Sequence, residues 1–107
     1  MPKRRYQDLV LRETLRFRAE MYTVIVWDLE ELHMLVHNIT GEHLEGGTVA
    51  MPYKAPSGVR RYFVSLFEQT APITVENINR TGFNKDTFVK QHGLLPAGEE
   101  SIQLENC

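Results

Sequence analysis

The chain has 107 residues, of which 42% are hydrophobic and 24% charged, with a formal net charge of −2. These values are ordinary for one soluble globular domain, and no apolar run reaches the ~18–20 residues that a membrane-spanning helix needs. The only cysteine is Cys107, which excludes an intrachain disulfide and a zinc site built from cysteines.

Charge is distributed unevenly along the chain. Residues 1–20 contain six Lys or Arg against three acids, and residues 21–107 contain six against eleven. A basic arm on an acidic body can contact RNA, an anionic membrane or an acidic partner, or it can be a solvated leader. Residues 8–20 also permit a short helix, with Asp8 as its N-cap and Leu11, Leu15 and Arg18 on one face. The basic residues of this arm are Lys3, Arg4, Arg5, Arg12, Arg16 and Arg18.

Three segments are rich in β-branched and aromatic residues and predict buried strands. These are residues 21–27, 32–39 and 61–69. A shorter extended piece is predicted over residues 48–51, after the Gly46-Gly47 break.

The prolines at 52 and 56 are expected to keep residues 52–59 out of regular pairing. Pro72 then interrupts the chain, and residues 73–75 predict a brief edge strand.

The last third of the chain predicts one helix. Asn84 is a suitable N-cap, Phe88 faces inward, and Gly93 follows the helix end. Residues 94–98 then predict a loop, and residues 101–104 a last short strand. The pattern favours a mainly β, sandwich-like and mostly antiparallel fold with one or two short peripheral helices.

Polar side chains stand at the beginnings of two of these strands. His33 opens the second strand and Arg60-Arg61-Tyr62 opens the third, with a loop rich in Gly and Pro between them. Side chains that are fixed by neighbouring buried strands, beside a loop that admits ligand, are a usual way to build a small anion pocket. The arrangement predicts binding before catalysis.

Several segments resemble the phosphatidylethanolamine-binding protein family. YTVIVWD at 22–28 resembles the strand that leads into the family's DPDxP motif, and HMLVHNI at 33–39 is similar to its H-x-L-V-x-N-I strand. Gly46-Gly47-Thr48 is similar to the small-residue turn that follows. Residues 53–62 are similar to its Y-x-x-P…G-x-H-R-Y segment, and FVKQHGLLPAG at 88–98 to its late helix and P-x-A-G loop. The resemblance covers roughly residues 21–105 and implies a shortened domain of this family over residues 21–107, preceded by the basic arm or short helix of residues 1–20.

The resemblance also implies an anion site. Carried over position by position, Asp28 is the first acid, His33 the first histidine and Tyr62 the tyrosine. The family's second acid is absent, because Leu29 follows Asp28 directly, and Arg60 stands where the family has its second histidine. The candidate ligand-binding residues are Asp28, His33, Pro56, Arg60 and Tyr62.

Arg60 leaves two outcomes open. Its guanidinium can hold a phosphate or carboxylate through two parallel hydrogen bonds. It can instead pair with Asp28 or a nearby glutamate and plug the pocket, since a buried ion pair has little drive to open.

Other polar residues carry weaker predictions. His37 and His43 are expected at the surface, and the spacing of His and Asp resembles no metal site. Ser57 and Ser65 lack a base and acid at triad spacing, so neither an enzyme nor a cofactor is expected. Trp27 is most simply a core residue.

The sequence therefore predicts a non-catalytic module that binds an anionic headgroup or a phosphorylated partner, as a cytoplasmic signalling regulator docked on a kinase would. The alternative is a structural protein of the mitochondrial large ribosomal subunit, where this fold also occurs, with the basic arm on RNA. If flanking strands are missing, unpaired sheet edges would favour self-association.

Overall fold

The computed structural model describes residues 21–41, 43–55 and 60–104. The predicted helix over residues 8–20, the basic arm and Pro56 lie outside the described residues. For Arg60 the backbone is described and the side chain is not.

The described strands form one five-stranded sheet in which every neighbouring pair is antiparallel, in the order β3-β2-β1-β4-β5. This confirms the prediction of a mainly β, antiparallel fold with a short peripheral helix. The strands are β1 (Met21–Trp27), β2 (Leu32–Ile39), β3 (Thr48–Met51), β4 (Arg60–Gln69) and β5 (Leu95–Leu104).

The three strongest predicted strands lie side by side at the centre of the sheet. Ile25 of β1 pairs with Leu35 of β2 on one side and with Ser65 of β4 on the other. Both faces of these strands are buried, which is why their sequences are nearly continuous apolar runs rather than alternating ones.

Apolar side chains form a separate cluster on each face of the sheet. Val24, Val26 and Val64 belong to one cluster, and Ile25 and Leu35 to the other. The second cluster also includes Phe88, which belongs to the helix α1 (Lys85–His92). The helix therefore packs against one face of the sheet, chiefly through Phe88.

The limits of α1 follow from its caps, as predicted. The Asn84 side chain accepts a hydrogen bond from the Thr87 N–H at 3.0 Å, and Gly93 closes the helix in the left-handed region at φ 63°. Among the described residues, no helix is long and apolar enough to cross a membrane.

Two predictions about the chain path were wrong. Residues 73–75 form no strand; instead Ile73 bonds through its N–H and its carbonyl to the side chain of Asn38, at 2.9 Å each. Residues 95–98, predicted as loop, begin the ten-residue strand β5, with Pro96 opposite Phe67. Proline is tolerated there because β5 is an edge strand of the described sheet and its register shifts beside Pro96.

Candidate functional site

The connection between β1 and β2 brings Asp28 and His33 together. Trp27 pairs with Leu32 while Val26 pairs with Met34, so His33 is the extra residue of a bulge. Its Nε2 lies 2.6 Å from Asp28 Oδ2. Only 5% of Asp28 and none of His33 is exposed, so this polar pair is part of the protein interior.

Asp28 also shapes the turn that follows it. Its Oδ1 accepts hydrogen bonds from the backbone N–H groups of Glu30 at 2.6 Å and Glu31 at 2.8 Å. An aspartate that bonds to the backbone two residues ahead stabilises a tight turn. One oxygen of the carboxylate thus stabilises the turn, and the other oxygen bonds to His33.

The ring of His33 has a partner at each nitrogen. Nδ1 lies 2.9 Å from the carbonyl oxygen of Lys54. A carbonyl can only accept, so Nδ1 carries a hydrogen. The contact between Nε2 and Asp28 Oδ2 joins two buried side chains. The ring of His33 is therefore held at both nitrogens.

Arg80 hydrogen-bonds to the backbone around the Asp28–His33 pair. Its guanidinium donates to the carbonyl oxygens of Leu32 at 2.9 Å, His33 at 3.1 Å and Pro52 at 2.8 Å, while its own carbonyl accepts from the Leu32 N–H at 2.7 Å. Sequence reasoning missed Arg80, because it lies in an irregular segment and its partners are backbone groups that carry no sequence signal.

Tyr62 reaches the same end of the sheet from β4. It is fully buried, and its ring and the His33 ring form an edge-to-face contact with the two centroids 6.1 Å apart. The structure therefore brings together Asp28, His33 and Tyr62. Arg60 begins β4, two residues before Tyr62.

Glu31 and Lys54 form the charged border of this cluster. Glu31 Oε2 lies 3.4 Å from Lys54 Nζ, and Glu31 Oε1 lies 3.9 Å from His33 Nδ1. The Lys54 side chain is 56% exposed, and exposed ion pairs contribute little to stability. The Glu31–Lys54 pair therefore affects the electrostatic potential around His33 more than it stabilises the fold.

His37 differs from its prediction, whereas His43 is exposed as expected. His37 is 5% exposed, and its Nδ1 has no hydrogen-bond partner. Burial lowers the pKa of His37, and the nearby His92 acts in the same direction. The prediction of a surface position was wrong because the place of His37 in its strand does not reveal whether other segments cover that face of the sheet.

A second polar cluster lies at the opposite end of the central strands. Gln69 accepts from the hydroxyl of Thr23 and from the N–H of Asn38, and it donates to the Asn38 side chain at 2.8 Å. Because Asn38 is also bonded to Ile73, this cluster holds the segment after β4 against the sheet.

Two cavities adjoin each other near the beginning of α1. One of about 230 Å³ is lined by Trp27, Asp28 and Lys85 among others. The other, of about 210 Å³, shares Phe83 and Asn84 with the first. No group of three or more His, Cys, Asp or Glu within residues 21–41, 43–55 and 60–104 is arranged to hold a metal ion.

No protein-family model matches the chain, and no curated protein matches its sequence. The resemblance to the phosphatidylethanolamine-binding protein family stays a prediction from the motif residues.

Proposed function

We propose that the chain is a non-catalytic binding module of the phosphatidylethanolamine-binding type. It holds a small anionic group, the phosphate of a lipid headgroup or of a phosphorylated protein, near Asp28, His33 and Tyr62. The observation that carries the proposal is the meeting of these three side chains, from three separate segments, at one end of the central strands.

The three residues and Arg60 have different roles in this proposal. Asp28 and His33 are bonded to each other and to the backbone, so they keep the rim of the site rigid. Arg60, at the beginning of β4, supplies the positive charge. A guanidinium suits this role because its planar donors match two oxygens of a phosphate.

The experiment is an NMR titration with inorganic phosphate and with phosphorylethanolamine. The amide signals of His33 and Tyr62 should shift in a saturable way at millimolar ligand. Arg60→Gln should weaken binding about tenfold, since a charge-assisted pair is lost.

Arg61→Gln is the matched control. It makes the same charge change one residue away, where the exposed Arg61 donates to Ser101 at 2.7 Å. The proposal is wrong if neither the His33 nor the Tyr62 amide signal shifts. It is also wrong if Arg60→Gln and Arg61→Gln weaken binding equally. Vesicles that contain phosphatidylethanolamine, compared with a phosphoserine peptide, then identify the source of the phosphate.

A second candidate function is supported by the charge asymmetry of the chain. Six of the twelve Lys and Arg residues lie within residues 1–20, and a structural ribosomal protein would place them on RNA. Such binding weakens steeply with salt, because it releases counterions from phosphates. Affinity for RNA that is insensitive to salt, or that survives deletion of residues 1–20, would exclude this role.

A further inference from the structure

The indole of Trp27 is held in a fixed orientation at the end of β1. Its Nε1 donates to the hydroxyl oxygen of Ser65 at 2.9 Å, and that hydroxyl donates to Glu99 at 2.6 Å. The ring of Phe63 stacks on the indole with the centroids 4.7 Å apart. One edge and one face of the indole therefore have partners in the sheet.

The remaining face of the indole carries a cation. Lys85 Nζ lies 4.9 Å from the centre of the Trp27 ring and 3.0 Å from Asp86 Oδ1. Because Phe63 covers one face, the ammonium must lie over the other. Lys85 is the first residue of α1, where the helix dipole disfavours positive charge. The aromatic ring and the carboxylate offset that unfavourable position.

The cavity of about 230 Å³ opens beside this cation. Apart from Lys85, the charged residues that line it are Asp28 and Asp86. At ~30 Å³ per water its volume corresponds to about eight water molecules, which is comparable to one long side chain. Without Lys85, the cavity would present an indole face and the exposed carboxylate of Asp86, which is the chemistry that recognises a cation.

The adjoining cavity of about 210 Å³ has a different lining. Asn77, Asn79 and Gln91 contribute amide side chains, and none of the described residues that line it is charged. Amide groups donate and accept hydrogen bonds as peptide groups do. This cavity therefore suits the main chain of an extended segment that continues from the first cavity.

We propose that the two cavities form a docking site for a basic peptide segment, whose arginine side chain replaces Lys85 over Trp27. A guanidinium stacks on an aromatic face and can bond to Asp86 with two donors, so it is favoured over an ammonium. The eleven acids against six bases in residues 21–107 make this body attractive to such a segment. Lys85 competes with the incoming arginine for the face of the Trp27 ring. The first cavity shares the lining residue Asp28 with the proposed anion site. The contacts proposed for the guanidinium, with Trp27 and Asp86, do not depend on that site.

Trp27 is the only tryptophan, so its fluorescence reports on the site. The probe is a pentapeptide, acetyl-Gly-Ala-Arg-Ala-Gly-amide, and its control contains citrulline, which is uncharged and of similar shape, in place of arginine. The arginine peptide should change the emission of Trp27 in a saturable way. The citrulline peptide should bind about tenfold more weakly, because the cation–aromatic attraction is lost.

Variants of the intact chain separate the proposed competition from general charge effects. Lys85→Gln should bind the arginine peptide several-fold more tightly. Lys90→Gln, the same change on an exposed position of the same helix, should leave affinity nearly unchanged. Asp86→Asn should weaken binding several-fold.

Three results would overturn the proposal. The first is Lys85→Gln weakening the binding or matching Lys90→Gln. The second is equal binding of the arginine and citrulline peptides. The third is a response of Trp27 to inorganic phosphate and not to the peptide, which would make the cavity an anion site.

Discussion

Replacement of Asp28 by alanine tests whether the buried pair holds the fold together. The change removes the acceptor for the N–H groups of Glu30 and Glu31 and the partner of His33 Nε2. Glu30 is exposed, so its N–H can bond to water instead. The His33 ring is fully buried, and its nitrogen cannot.

The expected loss is about 3–5 kcal/mol in the free energy of unfolding, because a buried nitrogen left without a partner costs about 1–3 kcal/mol and each of the two lost turn hydrogen bonds adds about 1 kcal/mol. A typical domain has about 5–15 kcal/mol in total, so the variant should be close to unfolding. Asp28→Asn should lose only about 1–2 kcal/mol. Its amide oxygen can still accept from both N–H groups, and its amide nitrogen can donate to Nε2.

Urea unfolding at neutral pH, followed by far-ultraviolet circular dichroism, measures these differences without relying on Trp27, the neighbour of the mutated residue. Asp86→Ala is the control, because that side chain is 89% exposed and its loss should cost less than about 1 kcal/mol. A loss below about 1.5 kcal/mol for Asp28→Ala, or equal losses for the alanine and asparagine variants, would refute the assigned hydrogen bonds.

Two further predictions concern packing and pH. A Cβ at Gly47 would lie 2.6 Å from Ile39 Cγ1 and 2.8 Å from the His37 carbonyl oxygen, so Gly47→Ala should lose about 1–3 kcal/mol in the same urea assay. Gly98→Ala, with no atom within 4 Å, should change stability by less than about 0.5 kcal/mol, and similar losses for both would contradict the packing. Burial lowers the pKa of His37 below its ordinary 6.5. As the pH falls through 6.5, His37 therefore takes up a proton in the unfolded chain before it does so in the folded one. The free energy of unfolding should then decline toward pH 5. His37→Gln should flatten this decline and His43→Gln should not; an unchanged slope in His37→Gln would show that another group causes it.

Local signals were sufficient to predict most of the regular structure. The β-branched and aromatic run of β1 ends where the strand ends, and α1 begins after Asn84 and stops at Gly93. These limits depend on side-chain sterics, a capping hydrogen bond and the left-handed conformation of glycine, all of which act within a few residues.

The candidate site was predictable only in part. Asp28, His33 and Tyr62 were identified by their positions at the ends of strands and by the resemblance. The Lys54 carbonyl that bonds His33 and the guanidinium of Arg80 were not. A backbone acceptor has no sequence signature, so its partner emerges only when distant segments meet.

The amino-acid sequence by itself determined the three central strands and the limits of α1, because those preferences are local. The tertiary structure alone decided that residues 95–98 pair with β4, that His37 is buried, and that Lys85 lies over Trp27. Each of these depends on what a distant segment places beside the residue. Burial and pairing are properties of the assembled sheet, and no residue carries them alone.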